Sequence, residues 1–227
     1  MLDTALPVAR STFGTGLLSA LDPSVGDGAF TRNLPSDVRA HGVDLDADAA
    51  AKSGCARVAI GHAIVDQPGV GAIPHVDWHA AFPSVFADGG FHLVVGNPPW
   101  RGVDQTMPGD TADHAAFKTW VQTHRTDDPN RISWADHYRR MCDLYHLFVY
   151  RALWALRPGG VLALVLSRSW LEAWYADTLR QTLAADTRLL EVWDLGQQAI
   201  FADTPTPASV LICQKSPASA DHRVAIR

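Results

Sequence analysis

The chain has 227 residues, 47% of them hydrophobic and 19% charged, an ordinary globular balance that supplies one sizeable core, or at most a core with a small appendage. The formal net charge of -5, without any basic run, argues against a self-sufficient nucleic-acid binder. Either positive charge is clustered in three dimensions, or another domain or subunit grips the phosphates. No apolar run approaches a membrane span, no charged-then-apolar leader opens the chain, and Cys55, Cys142 and Cys213 form no CxxC pair, so a cytoplasmic protein with reduced thiols is expected.

Gly16 to Leu21 is short and apolar and runs into a Gly-rich turn, which reads as a buried strand feeding a loop. That loop, Asp22-Pro23-Ser24-Val25-Gly26-Asp27-Gly28-Ala29-Phe30, sets a Gly-x-Gly turn between a strand and a helix. Glycines there let the backbone turn sharply and a ligand approach the main chain. Val38 to Leu45 reads as a second strand ending at Asp44 and Asp46. An acid placed roughly 15–20 residues after such glycines suits a pair of ribose hydroxyls, although a strand-end turn residue is the simpler account of Asp44 alone. No Walker pattern is present and the third dinucleotide glycine is missing, so a nucleoside ligand without a pyrophosphate fits better.

His92 to Gly96 is a third strand, stopped by Asn97-Pro98-Pro99-Trp100. Arg101 to Met141 is polar and contains Pro108, Gly109 and Pro129, which predicts a loop or partly helical insertion beside the site. Leu144 to Leu156 has helical spacing and stops at Arg157-Pro158-Gly159-Gly160. Val161 to Leu166 follows as an apolar strand, Trp170 to Ala184 reads as helical, and Leu189 to Trp193 and Ser209 to Cys213 read as strands. Buried strands alternating with helices predict an α/β domain with a mainly parallel sheet.

The four residues Asn97 to Trp100 carry the most specific chemistry. Two consecutive prolines fix the backbone and remove two N–H donors, so nearby carbonyls can point at a ligand. The amide oxygen of Asn97 and the carbonyl of Pro98 could then accept both hydrogens of an amino group. An aromatic amine is a poor nucleophile because its lone pair is delocalised into the ring. Two preorganised acceptors favour the pyramidal amine, whose lone pair can attack an electrophilic methyl in line. Trp100 offers a flat surface for the base that carries the amine. The alternative is a strand-ending Asn-Pro turn with a packed Trp.

With these elements in place the sequence resembles the amino-group DNA methyltransferases, particularly the adenine-N6 enzymes of type IIG restriction–modification and related phage-defence systems. The resemblance runs from Leu21 to Cys213. It implies a doubly wound, Rossmann-like α/β methyltransferase fold whose last strand, near Val210, is antiparallel. It implies S-adenosylmethionine as cofactor: Asp22, Pro23, Gly26, Gly28 and Phe30 belong to the loop that holds its methionine end, Asp44 to its ribose, and Asp77 to its adenine amine, with Trp78 packing on that ring. Asn97-Pro98-Pro99-Trp100 is similar to the family's Asn-Pro-Pro-aromatic motif, with Trp in place of the commoner Tyr or Phe. Asp143-Leu144-Tyr145-x-x-Phe148 resembles the motif that helps bury the cofactor, and Phe201 falls where a second aromatic meets the flipped-out base.

The resemblance implies N6 methylation of adenine in DNA by direct transfer, with base flipping, no metal and no membrane association. The whole of residues 1–227 is expected to be one catalytic domain with the insertion at 101–141 and without a target-recognition domain, which a partner subunit or separate domain would supply. An RNA or protein-glutamine N-methyltransferase with the same motif, and a catalytically inactive methyltransferase-fold module, are the alternative readings. Trp120, Trp134, Trp154 and Trp174 are expected in the core or on packed helix faces, and most of the ten histidines show no metal-ligand spacing.

Overall fold

The six strands that the apolar runs predict, joined by two short ones that they do not, assemble into one eight-stranded sheet. A computed structural model describes residues 1–64, 75–100, 143–196 and 206–227; Phe201 and the segment Arg101 to Met141 lie outside the described residues. In chain order the elements are α1 (Leu2–Phe13), β1 (Leu18–Asp22), β2 (Val38–Asp44), α2 (Ala47–Ala50), β3 (Arg57–Ile60), α3 (Trp78–Ala81), α4 (Pro83–Ala87), β4 (Phe91–Gly96), α5 (Leu144–Ala155), β5 (Leu156–Ser167), α6 (Asp177–Asp186), β6 (Arg188–Asp194), β7 (Ala208–Gln214) and β8 (Ala225–Ile226). The strand order is β3-β2-β1-β4-β5-β7-β6-β8. Strands β1 to β5 pair in parallel, and β7 inserts antiparallel between β5 and β6.

This is the doubly wound α/β sheet that the sequence predicts, with the antiparallel strand around Val210. A two-residue strand, β8, follows it and pairs in parallel with β6. Parallel central strands are covered on both faces and so are written as continuous apolar runs. Alternate residues serve opposite cores. Leu18, Ala20, Leu93, Val95, Val161, Ala163, Val210 and Ile212 face α1, while Leu21, Val94, Leu162, Leu164 and Leu211 face α5 and its neighbours.

Three local differences from the sequence-based expectation have physical causes. The stretch Arg157-Pro158-Gly159-Gly160 does not follow the helix as a separate turn but lies inside β5, where the pairing with β4 slips between Phe91 and Leu93. The left-handed backbone of Gly159 (φ 81°) accommodates that irregularity. The stretch Trp170 to Ala184 is not one helix: two 3-10 turns, Arg168–Leu171 and Trp174–Ala176, precede α6. The turn after the Gly-x-Gly loop is a single 3-10 turn, Thr31–Asn33, rather than an α-helix.

Candidate active site at the carboxyl edge of the sheet

Four segments converge where β1, β2, β4 and β5 end. Parallel strands deliver their carboxyl ends to one edge, and ligands of open α/β sheets bind there. Asp22 closes β1 and is 1% exposed. Its Oδ1 accepts a hydrogen bond from the backbone N–H of Ser24 at 3.0 Å. Burial pushes its carboxyl up to about 7, against the pull of the Ser24 N–H and with reinforcement from nearby Asp44. A β-carbon on Gly96 would lie 2.6 Å from Asp22 Oδ1, so a side chain at the end of β4 would force this carboxyl to move.

The loop after Asp22 is tied to both neighbouring strands. Val25 N–H donates to the Val43 carbonyl at 3.0 Å, and Gly26 N–H donates to Asp44 Oδ2 at 2.6 Å. Asp46 N–H donates to Asp44 Oδ1 at 3.0 Å. Two backbone donors therefore fix the Asp44 carboxylate, and each oxygen keeps a second acceptor site for a ligand hydroxyl. The two glycines of the turn differ. A β-carbon on Gly26 (φ 51°) would meet open space, whereas one on Gly28 (φ 90°) would lie 2.2 Å from the Ser53 carbonyl oxygen. Gly26 leaves main chain open to a ligand; Gly28 permits close packing of the loop. Phe30 packs against the core beneath α1.

Asn97 follows β4 directly. Its backbone carbonyl accepts from Ser24 Oγ at 3.3 Å, which joins the Asn-Pro-Pro segment to the glycine loop. Its side-chain Oδ1 is buried and has no hydrogen-bond partner among the described residues. An unmet buried acceptor costs roughly 1–3 kcal/mol, and such a cost is retained where a ligand supplies the missing donor. Pro98 is buried and Pro99 exposed. Trp100 packs against the α5-side core, and its Nε1–H donates to the Val165 carbonyl at 3.4 Å.

Beside Trp100, at the end of β5, hydroxyls converge on one carboxylate. Tyr175 Oη donates to Asp143 Oδ2 at 3.1 Å and Ser169 Oγ to the same oxygen at 3.3 Å. Tyr145 Oη and Ser167 Oγ lie 2.8 and 2.9 Å from Ser169 Oγ. Burial raises the pKa of Asp143, and these hydroxyls oppose the shift. Next to it, His146 is buried and its pKa is driven down to about 3, first by desolvation and then by Arg180.

Asp77 is exposed and caps α3, accepting from Ala80 N–H at 3.0 Å. Trp78 is fully buried. It packs against Phe82 and Trp154, and the Arg151 guanidinium lies 4.7 Å from its ring. Trp78 thus sits in the core rather than presenting a face to a ligand. Trp154 also packs inward, whereas Trp174 is 60% exposed, which corrects its expected burial; Trp120 and Trp134 lie outside the described residues. The structure therefore brings together Asp22, Pro23, Gly26, Asp44 and Asn97, with Trp100 at the margin. The hydroxyl network of Ser167, Ser169 and Tyr175 escapes sequence reasoning as a unit, although a Ser-x-Ser pair just beyond an apolar strand is a usable signal.

The strand order, the antiparallel seventh strand and a glycine loop after β1 define a class I methyltransferase fold. The chain belongs to the family described as Eco57I restriction-modification methylase, whose match covers residues 66–201. It is 23% identical over 202 residues to the type II methyltransferase M.BanIII of Aneurinibacillus aneurinilyticus. That match covers 83% of this chain and 32% of the relative, so the chain spans about a third of its length.

Solved structures share the fold at low identity. A type I restriction-modification methyltransferase subunit from Streptococcus thermophilus superposes with a TM-score of 0.61 at 17% identity, over 98% of this chain and 45% of that one. LlaGI, a Type ISP restriction-modification enzyme solved with a DNA substrate mimic, gives 0.65 at 14% identity, over 100% and 26%. A Listeria monocytogenes protein assigned to the class I S-adenosylmethionine-dependent methyltransferases gives 0.60 at 12%, over 97% and 61%.

Proposed function

We propose that this chain is the catalytic domain of a DNA methyltransferase that methylates the N6 amine of adenine with S-adenosylmethionine. The observation that carries the reading is the buried Oδ1 of Asn97, unpartnered among the described residues, held at the end of β4 and linked through Ser24 to the glycine loop. The neighbouring residues fit the cofactor. Gly26 leaves its main chain open, Asp44 keeps acceptor sites for two hydroxyls, and Asp22 is a buried acid beside that loop.

When bound, S-adenosylmethionine supplies an electrophilic methyl group on a sulfonium centre. Asp44 holds the ribose and Asp22 with the glycine loop holds the methionine end. Asp77, exposed at the start of α3, is proposed to meet the cofactor's adenine amine. Asn97 Oδ1 and the Pro98 carbonyl accept both hydrogens of the target amine, so that its lone pair is freed from the ring. Trp100 stacks on the base, and Phe201 is proposed as the second aromatic. Adenine in a duplex reaches such a site only after flipping, and stacking offsets part of that cost.

Recognition of a sequence needs contacts to neighbouring base pairs that one base pocket does not make. With a net charge of -5, the domain is proposed to rely on a separate recognition domain or subunit. The test is incubation with methyl-labelled cofactor and separate pools of unmethylated DNA, RNA and protein. Label in DNA, recovered as N6-methyladenine, is expected; label confined to RNA or protein would overturn the assignment.

A further inference from the structure

We propose that Trp174 is a further aromatic contact for the nucleic acid, stacking on a base that flanks the target rather than on the target itself. The inference rests on the methyltransferase reading above. At 60% exposure Trp174 is the largest apolar side chain left open among the described residues. It stands on the turn just beyond β5, at the same sheet edge as Asn97 and Trp100.

The turn is held rather than loose. Arg180 Nη1 donates to the carbonyls of Trp170 at 2.6 Å and Ala173 at 3.1 Å, and its Nη2 pairs with Asp177. Ala173 N–H donates to the Ser169 carbonyl at 2.8 Å. The next residue, Tyr175, is anchored through its hydroxyl to Asp143, and its ring stands 6.0 Å from that of Trp174 at 82°. Backbone and neighbour are thus fixed while the indole faces solvent. A preorganised aromatic loses little entropy on stacking, and every base offers it a π-face.

Continuity with the proposed base pocket favours a nucleobase as occupant. Through Asp143 and Ser169 the turn joins the end of β5, whose Val165 carbonyl holds the Trp100 indole. Trp100 and Phe201 are the aromatics proposed for the flipped adenine itself, so an exposed ring beyond the hydroxyl network is left for a neighbouring base.

The test compares wild type, Trp174→Ala and Trp174→Phe in the full chain. It measures the Kd and KM for unmethylated plasmid DNA alongside calorimetric cofactor binding. Trp174→Ala is expected to weaken DNA binding and raise KM roughly tenfold, the range for one stacked base. It should leave kcat at saturation and cofactor affinity in place, with Trp174→Phe close to wild type. Wild-type DNA binding matched by Trp174→Ala would overturn this inference alone. So would loss of cofactor affinity or of folding in Trp174→Ala and Trp174→Phe alike, since the ring would then be packed against protein. A wild-type protein that neither binds nor methylates DNA with its recognition partner present would remove both this inference and the reading beneath it.

Discussion

At the amino edge of the sheet, polar groups are used on one another. His92 Nδ1 lies 3.1 Å from the N–H of Ser19 and 2.9 Å from its hydroxyl, while Nε2 lies 2.7 Å from Arg157 Nη1. Gln214 donates to Thr12 and to the Gly159 carbonyl, each at 2.9 Å. Lys215 reaches the carbonyls of Trp154 and Leu156, where α5 ends and β5 begins. A cavity of about 170 Å³ there is bordered by His41, which bonds to the Ala20 carbonyl, and by His92, which bonds to Ser19.

The carboxyl edge is arranged differently. Asn97 Oδ1 has no partner among the described residues, Asp22 is a buried acid beside another acid, and Trp174 faces solvent. Apart from the buried Nε of Arg188, which has no partner among the described residues, the amino edge is tied up by folding, and the carboxyl edge is left for a ligand to finish. Substitutions at the two edges should therefore separate function from stability.

The largest effect is expected at Asn97. Asn97→Ala should lower methyl transfer by at least ~10²-fold, in line with loss of an acceptor used mainly in the transition state. Cofactor affinity and thermal stability should hold, because the Asn97 oxygen bonds to none of the described residues in the free protein. Next in size, Asp44→Ala should weaken cofactor binding by roughly 1.5–3 kcal/mol, the range for hydrogen bonds to a charged partner. Calorimetry on the folded variant measures it, and unchanged affinity would remove Asp44 from the ribose site.

Asp22 tests the comparison through pH. Its carboxyl rises from 3.8 to about 7 on burial, so between those values the folded state keeps a proton that the unfolded chain has lost. Stability should fall as pH climbs through that window and level off above it. Asp22→Asn keeps the acceptor for Ser24 N–H and removes the decline. It should be more stable than wild type at pH 8 by roughly 1–3 kcal/mol, yet bind cofactor more weakly. Denaturant titrations at pH 4 and pH 8 would expose a pH-independent difference, which would refute the buried-acid account.

The smallest effect belongs to the amino edge. His92→Ala should lower stability by about 1–2 kcal/mol, because Ser19 and Arg157 are each left without the imidazole nitrogen that faces them. Methyl transfer per folded molecule should be unchanged. A catalytic defect there, assayed at matched folded concentration, would break the division between the edges.

The sheet was legible because parallel strands covered on both faces must be apolar along their length, as at Leu93-Val94-Val95 and Val161 to Leu166. Helix α1 was not. Its buried side is small, Ala5 and Ala9, and Pro7 and Ser11 blur its period. At the site, the turn chemistry of Asp22 to Gly28 and the Asn-Pro-Pro segment are local and could be read directly. Exposure is a tertiary property, so spacing alone could not show that Trp78 turns into the core while Trp174 turns out. Nor could it show that one glycine of the Gly-x-Gly turn opens to a ligand and the other packs on Ser53.

The most direct test is nucleoside analysis of unmethylated DNA after incubation with methyl-labelled cofactor and either wild type or Asn97→Ala, at matched cofactor occupancy and with any recognition partner present. Labelled N6-methyladenine from wild type, reduced at least ~10²-fold in the variant, is the predicted result. Equal labelling by both proteins would contradict the assignment of the Asn97 oxygen to the target amine, and label in a different nucleoside would contradict the choice of adenine.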